Sequence, residues 1–148
     1  MPTGQAGYSG RPLAQKLGLK DGHKLLLVGA PANWYVPDLP DGVEIRRRPG
    51  ALRAGDLKAD IMIAFFDSAA QFTETGPGLA RQLAANSSLW VAWPRRAGGH
   101  QSDITDQLLR DVLLPIGVVD VKVAALDQDW SGLKFMWRRE NRATRARA

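Results

Sequence analysis

The sequence predicts an α/β fold: a mainly parallel sheet with helices on both faces, closed by an antiparallel pair of C-terminal strands. Short, near-continuous apolar runs (Lys24–Val28, 60–66, 89–93) have the composition of strands buried on both faces. Segments of helical period alternate with them, and only a turn separates the last two strands.

In chain order, residues 1–12 are rich in Gly, Pro and Ser and form a lead-in. PLAQKLG, with Pro12 at the start and Gly18 as the stop, predicts one or two helical turns. Asp21-Gly22 is a turn before the first strand, Lys24–Val28. PANWYVPDLPDG carries three prolines in twelve residues and reads as loop. A short strand at 43–46 runs through Arg46-Arg47-Arg48 to a turn at Pro49-Gly50. After strand 60–66, residues 68–85 are helical in pattern, with Pro77-Gly78 expected to interrupt them. Strand 89–93 ends at Pro94. Asp103 reads as the N-cap of a helix carrying Ile104, Leu108, Leu109, Val112 and Leu113, and Gly117 closes it. Strands 118–126 and 133–139 flank the turn DQDWSG, where Gly132 is expected at positive φ and Trp130 as a cap on the core.

The chain has 148 residues, which suits one domain at 13–139 between the lead-in and a basic tail at 140–148. With no cysteine, disulfides, thiolate zinc sites and cysteine nucleophiles are excluded. No apolar run approaches the roughly 20 residues of a membrane span, and the N-terminus lacks a signal-like apolar centre. The expectation is a cytoplasmic protein. Of the formal charge of +5, most sits in RRENRATRARA, with five Arg against one Glu. Arg138, Arg139, Arg142, Arg145 and Arg147 are therefore candidates for nucleic-acid contact, or else a solvated end that aids solubility.

A parallel sheet finishing in a strand–turn–strand unit resembles the class I S-adenosylmethionine-dependent methyltransferase fold, a Rossmann-like architecture, over roughly 13–139. The resemblance makes Lys24–Val28 the first strand and Gly29 its cofactor turn, 60–66 the fourth strand, and the closing pair the sixth and seventh. GYSGRPLAQKLG (7–18), LLLVGAP (25–31), LWVAWPRR (89–96), PIGVVDVKVAALD (115–127) and WSGLKF (130–135) are also similar to a small bacterial family without an assigned activity. That second likeness implies fold and no chemistry. The departures from the methyltransferase pattern are specific. Where that family has several glycines, only Gly29 stands here, and Pro31 removes a donor. Where an acid accepts the ribose hydroxyls, Arg46-Arg47-Arg48 stands instead. The third strand is missing. The expectation is no cofactor, S-adenosylmethionine being disfavoured.

Candidate site residues follow from the rule that ligands of open α/β sheets bind outside the carboxyl ends of the strands. Gly29, Ala30 and Pro31 line such a crevice or simply end a strand. Asp67 is a candidate base just past a central strand, or a helix cap. Trp93, Arg95 and Arg96 form an edge suited to phosphate or carboxylate, joined by Arg46–Arg48, or are ordinary packing and loop charge. His23 and His100 have no ligand spacing, so no metal site is expected. The resemblance, with its lost cofactor residues, implies a non-catalytic, degenerate methyltransferase-like domain that binds a partner protein or a small anionic ligand. The alternatives are an enzyme acting on a nucleotide or phosphorylated metabolite, and a nucleic-acid-associated protein using its Arg-rich tail. A homodimer is compatible with any of them, and no membrane partner is expected.

Overall fold

The computed structural model describes residues 11–147, so nearly all of the lead-in lies outside the described residues. Its elements are α1 (Leu13–Leu17), β1 (Lys24–Val28), β2 (Glu44–Arg48), β3 (Ile61–Phe65), α2 (Ala69–Arg81), β4 (Ser88–Pro94), α3 (Asp106–Leu113), β5 (Val118–Ala125), β6 (Trp130–Trp137) and α4 (Arg139–Arg147). The strands form one sheet in the order β2-β1-β3-β4-β6-β5. β2, β1, β3 and β4 run parallel, while β6 pairs antiparallel with both β4 and β5. The α/β sheet with a closing antiparallel pair is thus as the sequence predicts. β2 is an edge, and no third strand lies beyond it among the described residues.

Alternation along the central strands divides the core in two. Leu26, Val28, Met62, Ala64, Leu89 and Val91 face α2 and α3, which cover that side with Phe72, Leu79, Leu109 and Leu113. Leu25, Leu27, Ile63, Phe65 and Trp90 face α1. That second layer is thin, because the β1–β2 connection contains no helix. Pro31, Pro37 and Pro40 prevent one, and the loop covers the sheet with Trp34 and Val36.

Four local expectations are corrected. Pro77 does not interrupt α2, because Phe72, Gly76, Leu79 and Ala80 are buried on both sides of it and packing outweighs the lost N–H. The N-cap of α3 is Thr105, whose hydroxyl accepts from the Leu108 N–H at 3.1 Å. Asp103 instead accepts from the Ala69 N–H at the start of α2, at 2.7 Å. β6 starts three residues earlier than predicted, so Trp130, Ser131 and Gly132 belong to it. Gly132 is not among the residues of positive φ. A Cβ there would lie 3.0 Å from Leu126 and from Trp90, so close packing is what its lack of a side chain serves.

The C-terminal basic segment is bonded to the body of the domain. Residues 139–147 are helical, and the side chains of the first turns are held to the body. Asn141 Nδ2 donates to the Gly117 carbonyl at 3.1 Å, and Arg142 Nε to the Trp137 carbonyl at 2.9 Å. Arg145 donates to the Arg81 and Leu83 carbonyls and lies 4.4 Å above the Trp137 ring. Arg139 is exposed and Arg138 half-buried; the Arg147 side chain lies outside the described residues. No helix among the described residues is long and apolar enough to cross a membrane.

Candidate functional site

The turn after β1 is a closed one. Gly29 has φ +70, and its N–H donates to the Arg48 carbonyl at 2.8 Å, continuing the ladder to β2. A Cβ at Gly29 would meet the Phe65 carbonyl at 3.2 Å, so the glycine serves a close approach between backbones. The loop then bends back over the α1 side of the sheet. Arg47, on that side of β2, donates to the Pro31 carbonyl at 3.3 Å and to the Trp34 carbonyl.

Its neighbours point the other way. Arg48 makes two hydrogen bonds to Asp56, Nε to Oδ2 at 2.8 Å and Nη2 to Oδ1 at 3.1 Å, and Arg46 adds a contact at 3.8 Å. Asp56 is buried. Burial pushes its carboxyl up, but the Arg53 N–H, the Arg48 guanidinium and the charge of Arg46 outweigh that and hold it below the ordinary value. The expected contribution of Arg46–Arg48 to an anion site at the carboxyl edge is therefore corrected. Arg46 and Arg48 neutralise a buried acid, and Arg47 pins a loop.

Among the described residues, clefts open at the carboxyl edge on opposite faces of the sheet, and two of them are lined by candidate residues or their neighbours. The larger, about 410 Å³, is lined by Trp34, Tyr35, His100, Asp127, Asp129 and Trp130, with Pro31 at its rim. Its floor is a row of rings: Trp34 meets Phe65 edge-on at 4.9 Å, and Phe65 meets Trp130 at 5.0 Å. Asp127 knits the cleft together. Its Oδ2 accepts from Trp34 Nε1 at 2.9 Å, and its Oδ1 accepts from the Asp129 and Trp130 N–H groups at 2.8 Å. His100 Nε2 lies 2.8 Å from Asp129 Oδ1. The smaller cleft, about 320 Å³, lies toward α3 and is lined by Trp93, Arg95, Arg96, Thr105, Asp106 and Ser131.

The candidates from sequence are thereby sorted. Trp93, Arg95 and Arg96 come together, but Gly29, Ala30 and Pro31 belong to the other face. Asp67 is exposed, lines neither cleft, and its N–H donates to Gln71 Oε1 at 2.8 Å. Arg95 is a charged residue only 7% exposed. Its Nη1 donates to the Gln128 carbonyl at 3.3 Å, and its N–H to the Asp129 carbonyl at 2.8 Å, tying the segment after β4 to the β5–β6 turn. No group of three metal-ligating side chains occurs among the described residues. Tyr35, Asp127 and Asp129 were not singled out as site residues by the sequence. They sit in proline-rich or turn segments without periodicity.

No protein-family model matches the chain, and no curated protein matches it in sequence. Solved structures do match in fold. The Methanococcus jannaschii fibrillarin pre-rRNA processing protein is 15% identical, with a TM-score of 0.54 over 86% of this chain and 69% of that one. A tRNA methyltransferase of B. subtilis is 12% identical, with a TM-score of 0.54 over 88% of this chain and 66% of that one. A SAM-dependent methyltransferase from Aquifex aeolicus is 14% identical, with a TM-score of 0.54 over 85% of this chain and 88% of that one. The fold is therefore the Rossmann-like α/β fold of the S-adenosylmethionine-dependent methyltransferases.

Proposed function

We propose that this chain is a methyltransferase-fold domain that works by binding, without S-adenosylmethionine-dependent catalysis, and that the cleft over Trp34 and Trp130 is its small-ligand site. The observation that carries the reading is the closure of the β1 turn. Gly29 N–H is spent on Arg48, Arg47 holds the Pro31 and Trp34 carbonyls, and the loop so fixed lies where a cofactor's backbone cradle would be needed. The residues present do not fit the cofactor. Pro31 offers no N–H, and the carboxyl end of β2 carries guanidinium groups where hydroxyls call for an acid. The aromatic floor and the orienting Asp127, Asp129 and His100 beside it have the make-up of a small-molecule cleft.

The test is thermal unfolding and tryptophan fluorescence with S-adenosylmethionine and S-adenosylhomocysteine. A ligand at about 100 times its dissociation constant adds roughly 2.7 kcal/mol, a rise of several degrees in a domain of this size. The expected result is an unchanged midpoint with both. A rise with either would restore cofactor binding at the β1 turn and overturn the proposal.

A further inference from the structure

The larger cleft combines aromatic walls with acids. Trp34, Tyr35 and Trp130 line it, and Tyr35 is 69% exposed. Asp127 and Asp129 stand among the lining side chains, with no lysine or arginine beside them. The arginines that suggest an anionic ligand in the sequence, Arg46–Arg48, Arg95 and Arg96, are not part of this lining.

The hydrogen-bond donors that frame the cleft are already engaged. Trp34 Nε1 and the N–H groups of Asp129 and Trp130 all go to Asp127. His100 gives its Nε2 hydrogen to Asp129 Oδ1 at 2.8 Å, since a carboxylate only accepts. Cations that bond to the surrounding segments are turned onto backbone oxygens. Arg47 donates to the Pro31 and Trp34 carbonyls, Arg95 Nη1 to the Gln128 carbonyl, and Lys16 Nζ to the Ala125 carbonyl. What the cleft offers a ligand is therefore acceptors. Asp127 takes three hydrogen bonds, whereas Asp129 Oδ2 takes none among the described residues. The Asp129 side chain is 61% exposed.

An anion in this cleft would meet ring faces and carboxylate oxygens, both of them negative. A cation is attracted by both, by the ring through its quadrupole and by the carboxylate through its charge. We infer that the cleft takes a small organic cation, an ammonium or amidinium compound that lies against Tyr35 and Trp130 and donates to Asp129. The inference rests on this cleft being the ligand site proposed above.

The experiment is a titration of the full chain followed by tryptophan fluorescence, at ionic strength matched with sodium chloride. The probes share one ring and differ in charge: benzylammonium, benzamidinium, benzyl alcohol and benzoate. The two cations are expected to bind about tenfold more tightly than benzyl alcohol, and benzoate more weakly than the alcohol. Asp129→Asn is expected to weaken both cations about tenfold and to leave benzyl alcohol unchanged. Tyr35→Ala, at an exposed position, is expected to weaken the cations and the alcohol alike. Glu74→Gln, exposed on α2 across the sheet, is expected to bind as the wild type does. Equal affinity for all four probes, or cation binding unchanged in Asp129→Asn, overturns the cation; if Tyr35→Ala still weakens the binding, the cleft keeps its place as a ligand site. No saturable change with any probe up to about 10 mM fails the cleft as a ligand site and the inference with it.

Discussion

Arg48 closes on Asp56 with two hydrogen bonds of 2.8 and 3.1 Å, at the carboxyl end of the edge strand β2. The carboxylate also accepts from the Arg53 N–H at 2.8 Å, so it links the strand to the 3-10 turn Ala54–Lys58 that leads into β3. Removing the charge leaves Arg48, whose side chain is 18% exposed, without its counter-ion. Asp56→Asn is expected to cost about 2 kcal/mol, somewhat less than a fully buried pair because Arg48 can turn to water. Thermal unfolding would show this as a midpoint lower by roughly 6 °C.

The same carboxylate sets an acid limit. Its folded-state pKa is lowered, so its contribution to stability is fully present above the unfolded value of about 3.9 and is lost as pH falls through the folded value. Asp120, held low chiefly by the Arg110 hydrogen bond, acts in the same direction. Unfolding free energy measured by urea titration is expected to fall below about pH 4, and to fall less steeply in Asp56→Asn.

How much of this was legible in the sequence depends on what each residue answers to. β1, β3 and β4 stand out because a strand buried on both faces must be apolar throughout, whatever surrounds it. Gly18 and Gly117 could be read as stops because both need positive φ at a helix end. Gly132 could not, since its requirement comes from Trp90 and Leu126, which are distant in sequence. Thr105 and Asp103 are both good capping residues two positions apart, and only the approach of α2 decides that Asp103 serves Ala69. The arginines of β2 misled for a related reason. Their acid, Asp56, lies eight residues past Arg48 in an irregular turn, and nothing in the composition announces the pairing. The cleft floor was hidden in the same way: Trp130 reads as a cap on the core, and its approach to Trp34 across Phe65 of β3 joins segments far apart in sequence.

Gly132 makes a sharp prediction about packing. Trp90 is fully buried, and its ring and the Leu126 side chain would each lie 3.0 Å from a new methyl group. Both side chains are fully buried and would have to shift, so Gly132→Ala is expected to destabilise the protein by about 1–3 kcal/mol despite the better strand propensity of alanine. Chemical denaturation with an unchanged m value and a lower midpoint is the expected signature.

Trp34 joins the two halves of the larger cleft through its Nε1 bond to Asp127. Trp34→Phe keeps most of the ring area over Phe65 and removes that bond, leaving Asp127 with its two backbone donors. The loss is expected to be about 1 kcal/mol. Amide exchange at Asp129 and Trp130 should quicken more than exchange in β1, because the turn loses its tie to the facing loop while the sheet is untouched.

Arg145 tests whether the C-terminal helix belongs to the fold. The Trp137 ring that it covers donates its own Nε1 to the Leu83 carbonyl at 2.8 Å, and Arg145 donates to the same carbonyl at 3.4 Å. A charged arm made for a partner would leave stability unchanged when shortened. Here the guanidinium closes the end of α2 and shields an indole, a combination expected to contribute about 1 kcal/mol. Arg145→Ala should therefore lower the midpoint by roughly 3 °C, and Arg139→Ala, which removes an exposed arginine of the same helix, should leave it unchanged. Equal, negligible effects of the two would return the helix to the status of a solvated tail.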